Sequence, residues 1–363
     1  MNLSDFDYDL PHESIAQRPL DERDASRMLL LDRASGEFRD GCFRELPALL
    51  RGDELIVVNN ARVLPARLFG RRTGTRAEAA SANNQAQNVF LSAPIEVLLV
   101  RHLGADRWEA LVRPGRKIRV GERIVFAADG DLEAVVESRG DYGMRVLRFA
   151  SRRDFYETIS RLGHIPLPPY IKRADEPADH QRYQTVYAKQ GMAAAAPTAG
   201  LHFTPEVLAS VRARGVEIAE ITLDVGLGTF EPVRTERLED HKIHKETYEI
   251  LDVAASAIER ARSARRPILA IGTTAVRALE DAAAKPESKG IVAPGKYQAD
   301  IFLYPGKSFH VVTQLLTNFH LPQSSLLALV AAFAGGERVL SAYRHAVTRG
   351  YRFYSYGDCM LIR

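Results

Sequence analysis

Residues 239–249 hold the densest run of ionisable side chains in the sequence: Glu239, Asp240, His241, Lys242, His244, Lys245, Glu246 and Glu249. Two chemistries suit that composition. His241, His244 and Glu246 are metal-ligand types, but H-x-x-H-x-E differs from the H-E-x-x-H helix of zinc proteases. An imidazole beside a carboxylate more economically supplies a general acid or base near neutrality. That reading is preferred, and no metal is expected. In an extended backbone His244, Glu246 and Tyr248 share one face while Lys245 and Thr247 take the other. A second imidazole, His202, sits in Pro197-Thr198-Ala199-Gly200-Leu201-His202-Phe203. It suits acid–base work and, equally, a buried ring bonded to a carbonyl.

Such residues act only if the chain brings their loops together. Thr204-Pro205-Glu206 is a helix start, with Thr as N-cap and Pro at the first helical position; Arg212, Arg214 and Gly215 mark its end. PTAGLHF is therefore a strand-to-helix loop. Residues 267–281, PILAIG-TTAVRALED, give a strand, a Gly-Thr-Thr turn and a helix. Thr273 and Thr274 suffice as caps, and the free N–H groups of that helix start also suit a phosphate or carboxylate. Residues 311–336 repeat the pattern, with Asn318 and His320 in the loop, Ser324 or Ser325 as cap and Gly335-Gly336 as terminator. A strand over 216–224 ends in Asp224-Val225-Gly226-Leu227-Gly228-Thr229-Phe230-Glu231. Its two glycines lack the third of a dinucleotide fingerprint, so no Rossmann cofactor site is expected. If these strands are parallel, their loops open on one sheet edge, where open α/β sheets bind ligands.

Alternating strands and helices argue for an α/β fold. Residues 95–149 differ, reading as short strands with close turns, the mark of a small antiparallel barrel or sandwich. RVLPARLFG, 62–70, reads as its first strand, and the polar stretch 71–94 as a flexible excursion. The fold class expected is α/β: a larger α/β domain, residues 1–60 and 150–363, with an inserted small antiparallel β-barrel domain, residues 61–149. The tail GYRFYSYGDCMLIR alternates aromatic and Arg residues and reads as a packed terminal strand, with base stacking as the alternative.

The composition of the 363 residues, 46% hydrophobic and 26% charged, is that of a globular protein. No apolar run approaches the roughly 20 residues that cross a bilayer, and the acidic N-terminus has no signal-peptide core. Two cysteines make neither a disulfide framework nor a zinc set. A cytoplasmic protein without membrane partners is expected. The net charge of +3 decides little, but basic clusters around Arg62 and Arg67, around Arg116, and around Lys172 and Arg173 suit phosphates as well as a solvated mixed-charge face.

The stretches DYDLPHESIAQRPLDERDASRMLLLDR, VVNNARVLPARLFG, PTAGLHFTPEVL, TLDVGLGTFEPV, HKIHKETYEI, IGTTAVRALE, TNFHLPQSSLLALVAAFAG and YGDCMLI stand in order along nearly the whole chain. Together they resemble the S-adenosylmethionine:tRNA ribosyltransferase-isomerase family of queuosine biosynthesis; residues 71–94 depart from it in being longer. The resemblance implies an α/β domain with an inserted β-barrel and no bound prosthetic group. It implies S-adenosyl-L-methionine as co-substrate and tRNA carrying 7-aminomethyl-7-deazaguanine as partner, the products being epoxyqueuosine-tRNA, adenine and methionine. Nothing in it demands more than a monomer.

On that basis the expected catalytic set is His202, Asp224, His244 and Glu246. His244 with Glu246 serves as base, and His202 as acid at adenine or as a contact to its ring nitrogens. Asp224 and Glu231 hold the methionine ammonium or the ribose hydroxyls, while Thr273, Thr274 and Arg277 grip the methionine carboxylate. Asn318 and His320 read the base edge or shape the adenine site, and Thr198, Gly200, Gly226 and Gly228 line the substrate loops. Arg62, Arg67, Lys172 and Arg173 contact tRNA phosphates.

Overall fold

The strand Leu55–Asn59, LIVVN, is buried at every position, as a strand covered on both faces must be. Alternation divides its side chains between two cores. Leu55 and Val57 pack with Ala270, Leu315, Leu279 and Val330; Ile56 and Val58 pack with Leu269, Leu316, Phe203 and Val211. The computed structural model describes residues 1–75, 93–127, 130–226, 235–241 and 243–363. They form two compact units, Met1–Arg62 with Pro168–Ala174 and Gln181–Arg363, and Val63–Leu167 with Asp175–His180.

In the larger unit the described strands make a nine-stranded sheet. Its order is Gly295–Ala299, Glu246–Ile250, Glu217–Leu223, Leu55–Asn59, Ile268–Ile271, Gln314–Asn318, Cys359–Ile362, Arg27–Leu31 and Phe38–Cys42. The four strands from Glu217–Leu223 to Gln314–Asn318 run parallel, with Ile56 opposite both Ile218 and Leu269. Their C-terminal ends therefore share one edge. Cys359–Ile362 lies antiparallel to Gln314–Asn318 and parallel to Arg27–Leu31, closing the gap between them. The tail thus ends in the packed strand expected of it.

The helices begin and end where local chemistry directs. Thr204 caps Pro205–Ala213 by accepting the Val207 N–H at 3.2 Å. Ser324 does the same for Ser325–Ala334, accepting from Leu327 at 3.2 Å. An N-cap of this kind contributes about 1 kcal/mol. Gly335, at φ 93°, stops that helix, and Gly336–Thr348 follows at a bend of 115°. Among the described residues, no single helix is long and apolar enough to cross a membrane.

The smaller unit contains a closed antiparallel barrel in the order Met144–Ser151, Arg107–Arg113, Ile95–Gly104, Arg67–Thr75, Glu122–Val125 and Leu132–Arg139. Alternate residues fill it: Trp108, Ala110 and Val112 from one strand, and Leu132, Ala134 and Val136 from another, are buried. The expected first strand, 62–70, is corrected. It divides around Pro65, which has no N–H for a ladder, into Ala61–Val63 and the barrel strand Arg67–Thr75. The expected excursion at 71–94 also starts too early, because Arg71 and Arg72 pair with Val125 and Ile124; residues 76–92 lie outside the described residues.

Candidate active site

At the C-terminal edge of the parallel strands the loops after Leu223, Ile271 and Asn318 line, with Ala196–Ala199, a cavity open to solvent. Thr198, Thr273, Thr274, Asn318 and His320 line it, joined by Tyr170 and Tyr354. One wall is a helix start. Helix Thr273–Ala284 has Gly272 as N-cap at φ 87°, and among the described residues no side chain caps it. A Gly is required there because a left-handed backbone carries a steric cost for other residues. The uncapped N–H groups give this wall positive polarity. The Thr274 hydroxyl, in a residue 8% exposed, has no hydrogen-bond partner among the described residues.

Another part of the lining is aromatic and amide. The Tyr170 and Tyr354 rings stack at 4.3 Å, and Tyr354 holds a positive φ of 70°, the kind of backbone outlier that collects at ligand sites. The Asn318 Nδ2 donates to the Tyr354 carbonyl at 3.1 Å and to the Asp358 carbonyl at 3.4 Å. His202 Nε2 lies 3.3 Å from the same nitrogen. Asn318 Oδ1 and the Tyr354 hydroxyl are buried without partners among the described residues.

Both buried imidazoles are neutral. Burial, then the charges of Arg23 and Arg352, lower the His202 pKa to about 3; burial alone lowers that of His320 to about 3. His320 lies in the cavity wall with Thr317 Oγ1 2.8 Å from its Nε2. His202 is not among the cavity-lining residues; it stands behind Asn318 with its ring against Phe43 at 5.3 Å. From this position a role for His202 at adenine, as acid or as ring-nitrogen contact, would have to pass through Asn318 rather than come from the cavity wall.

Next to this cavity, Glu246 and Arg277 form an ion pair in residues only 4% and 5% exposed. Glu246 also accepts the Gly226 N–H at 3.0 Å, and Arg277 donates to the His244 carbonyl at 3.2 Å. Arg277, expected to grip a carboxylate, is absent from the cavity lining, and its guanidinium is turned to Glu246. The shared face of His244, Glu246 and Tyr248 is corrected. The strand begins at Glu246, with Glu246 and Tyr248 buried, while His244 precedes it and is exposed. Tyr248 donates to Asp281 at 2.9 Å. Asp224, half-buried, is joined to this strand by its N–H, which donates to the Thr247 carbonyl at 2.9 Å.

Gly200 lies where the loop backbone passes against the Tyr187 ring, so its lack of a side chain serves packing. Gly228 and Glu231 lie outside the described residues. Among the described residues no three His, Cys, Asp or Glu side chains are grouped to hold a metal. Arg62 and Lys172 are exposed in the larger unit, where Arg173 donates to the Gln17 carbonyl at 2.9 Å. Arg67, in the smaller unit, is committed to Glu96 at 3.1 Å. The cavity residues missed from sequence are Tyr170 and Tyr354. The aromatic spacing of the tail was the signal for Tyr354, whereas Tyr170 lies in the proline-rich stretch 164–173; a positive φ at a tyrosine has no sequence signature.

The whole chain matches known proteins. The model of the family described as queuosine biosynthesis protein covers residues 3–362. The chain is 52% identical over 364 residues to the S-adenosylmethionine:tRNA ribosyltransferase-isomerase of Solibacter usitatus, covering 100% of both chains. It is 50% identical over 363 residues to that of Symbiobacterium thermophilum, again covering 100% of both. A crystal structure of the S-adenosylmethionine tRNA ribosyltransferase from Thermotoga maritima is 35% identical, with a TM-score of 0.54 over 99% of this chain and 100% of that one. It shares the large α/β sheet and the six-stranded barrel. The chain therefore belongs to the queuosine biosynthesis family, as a transferase of the S-adenosylmethionine:tRNA ribosyltransferase-isomerase type.

Proposed function

We propose that the enzyme transfers and isomerises the ribosyl moiety of S-adenosylmethionine onto 7-aminomethyl-7-deazaguanine at the tRNA wobble position. The products are epoxyqueuosine-tRNA, adenine and methionine. One observation carries the reading: the cavity is lined both by an uncapped helix N-terminus and by an aromatic stack, with buried polar atoms on each that have no partner among the described residues. A carboxylate suits the first wall and a purine the second, which are the two ends of S-adenosylmethionine.

The chemistry needs only proton transfers, eliminations, additions and a displacement. A base removes a proton from the carbon beside the sulfonium, leaving an ylide. The furanose C–O bond beta to the sulfonium breaks to leave a vinyl sulfonium, and the freed oxygen expels adenine, which takes up a proton, to leave an aldehyde. The neutral substrate amine adds to the vinyl carbon, loses a proton and regenerates the ylide carbon, which bonds to the aldehyde carbon to close the five-carbon ring. The alkoxide so formed displaces methionine, making the epoxide C–O bond as the C–S bond breaks. No electron is passed to a carrier, so no prosthetic group is required. Thr273 and Thr274 hold the methionine carboxylate. Asn318, Tyr170 and Tyr354 seat the adenine, and Thr198 and His320 shape its surroundings. The Tyr354 hydroxyl, held protonated by burial, is a donor for the departing base. Proton abstraction is assigned to His244, and contact with ribose or ammonium to Asp224. Glu246 and Arg277 brace the loops at Gly226 and His244. Arg62, Lys172 and Arg173 contact tRNA phosphates in the cytoplasm, and the enzyme acts as a monomer.

The test is to incubate the protein with S-adenosylmethionine and tRNA carrying 7-aminomethyl-7-deazaguanine, following adenine, methionine and nucleoside mass by chromatography. Adenine and methionine in equal amounts, with the matching mass gain on the base, are expected. Binding of that tRNA without adenine release would reject the reading.

A further inference from the structure

Among the described residues, the cavity wall contains a side-chain carbonyl that the protein leaves unused. Asn318 closes a central strand and is 2% exposed. Its amide nitrogen faces two main-chain carbonyls, Tyr354 O at 3.1 Å and Asp358 O at 3.4 Å. Carbonyls only accept, so the amide presents its N–H groups to them; turned over, it would set oxygen against oxygen. His202 Nε2, 3.3 Å from the same nitrogen, is a third neighbour that shares one of the two N–H groups with a carbonyl. It accepts only when Nε2 is bare and the proton sits on Nδ1. The ring is held in place against Phe43. With both N–H groups taken, Oδ1 remains, buried and without a partner among the described residues.

We infer that Asn318 Oδ1 selects for the 6-amino group of the adenine, and that His202 is a positioning residue that holds the Asn318 amide in the orientation this requires. The inference rests on reading the cavity as the seat of S-adenosylmethionine. An amino group on a flat base fits this wall better than the methionine ammonium does. The stacked Tyr170 and Tyr354 rings adjoin Asn318, Leu321 and Leu326 add apolar surface, and the described lining residues include no carboxylate to neutralise a cation. A buried acceptor discriminates strongly, because an analogue lacking the donor leaves it unpaired, and a 6-oxo group sets a second oxygen against it.

The experiment measures equilibrium binding and single-turnover rates for S-adenosylmethionine, its 6-oxo analogue and an analogue lacking the α-amino group. The proteins are the unaltered enzyme, Asn318→Ala, His202→Ala and His202→Gln. The unaltered enzyme should prefer the 6-amino compound over the 6-oxo compound by about 100-fold or more. Asn318→Ala should reduce that ratio to within a few fold. His202→Ala should lower it by about tenfold, and His202→Gln, whose side-chain oxygen also accepts, should restore most of it. A residue serving only packing would change affinity for both compounds alike and leave the ratio untouched.

Equal binding of the 6-amino and 6-oxo compounds by the unaltered enzyme would overturn the inference while leaving the reaction intact. So would a ratio unchanged by Asn318→Ala, or a penalty that Asn318→Ala removes only for the analogue lacking the α-amino group. A ratio unchanged by His202→Ala would overturn the positioning role. Failure of S-adenosylmethionine itself to bind or react would instead reject the cavity assignment.

Discussion

Replacing Glu246 by Gln removes one charge from a pair whose members are 4% and 5% exposed. The glutamine oxygen still accepts the Gly226 N–H, so the change isolates the charge. Arg277 is then a buried guanidinium without its counterion, and breaking a buried pair from one side costs about 3–5 kcal/mol. At about 2–4 °C per kcal/mol for a unit of this size, the melting temperature should fall by roughly 10 °C. Adding Arg277→Met removes the stranded charge. Because exchanging a whole buried pair for apolar groups is often nearly neutral, the double variant should recover most of the loss. Thermal and urea unfolding of the four proteins, followed by circular dichroism, close the cycle. A single variant within about 1 kcal/mol of the parent, or a double variant equal to the sum of the singles, would refute the claim that the pair acts as one buried unit.

Three further outcomes are expected. His202 and His320 have folded pKa values of about 3, below the ordinary 6.5, so below pH 6.5 the unfolded chain takes up protons that the folded chain refuses. Their contribution is fully present above that pH and falls by about 1.4 kcal/mol per pH unit per ring toward pH 3; His202→Gln should flatten the slope measured by urea unfolding between pH 4 and 6. Gly272→Ala has room for its methyl, 3.6 Å from the Ala199 Cβ, but forces a left-handed alanine. It should cost about 1–2 kcal/mol and raise the KM for S-adenosylmethionine; an unchanged KM would detach this helix start from the ligand. Arg62→Ala and Lys172→Ala should each weaken tRNA binding across sequences and reduce the salt slope by about one, as read by filter binding from 50 to 200 mM salt.

Local chemistry made much of the fold legible. Thr204-Pro205 and Ser324 announce their helices because a cap acts within four residues of itself, and the barrel strands show through alternation at Trp108, Ala110 and Val112. Pro65 was present in the sequence, yet its consequence depends on a ladder that only the folded barrel supplies. The site was legible by loop but not by role. Thr273, Thr274, Asn318 and His320 share a cavity because their strands run parallel. What each does is set by distant partners: Asn318 by His202, Tyr354 and Asp358, and Arg277 by Glu246. The protonation of His202 depends on burial that no neighbouring residue encodes.

The seat of Cys359–Ile362 between Gln314–Asn318 and Arg27–Leu31 also governs the order in which this protein can come into being. Arg27 and Asp358, bonded at 2.9 Å, are 331 residues apart. Strands made early therefore wait on the nascent chain for a partner synthesised long afterwards, with their edges open to wrong pairing. The same late segment brings Tyr354 and the carbonyl of Asp358. Until it docks, the Asn318 amide lacks both of its carbonyl acceptors and the cavity lacks Tyr354, so an incompletely synthesised chain does not yet carry the finished cavity.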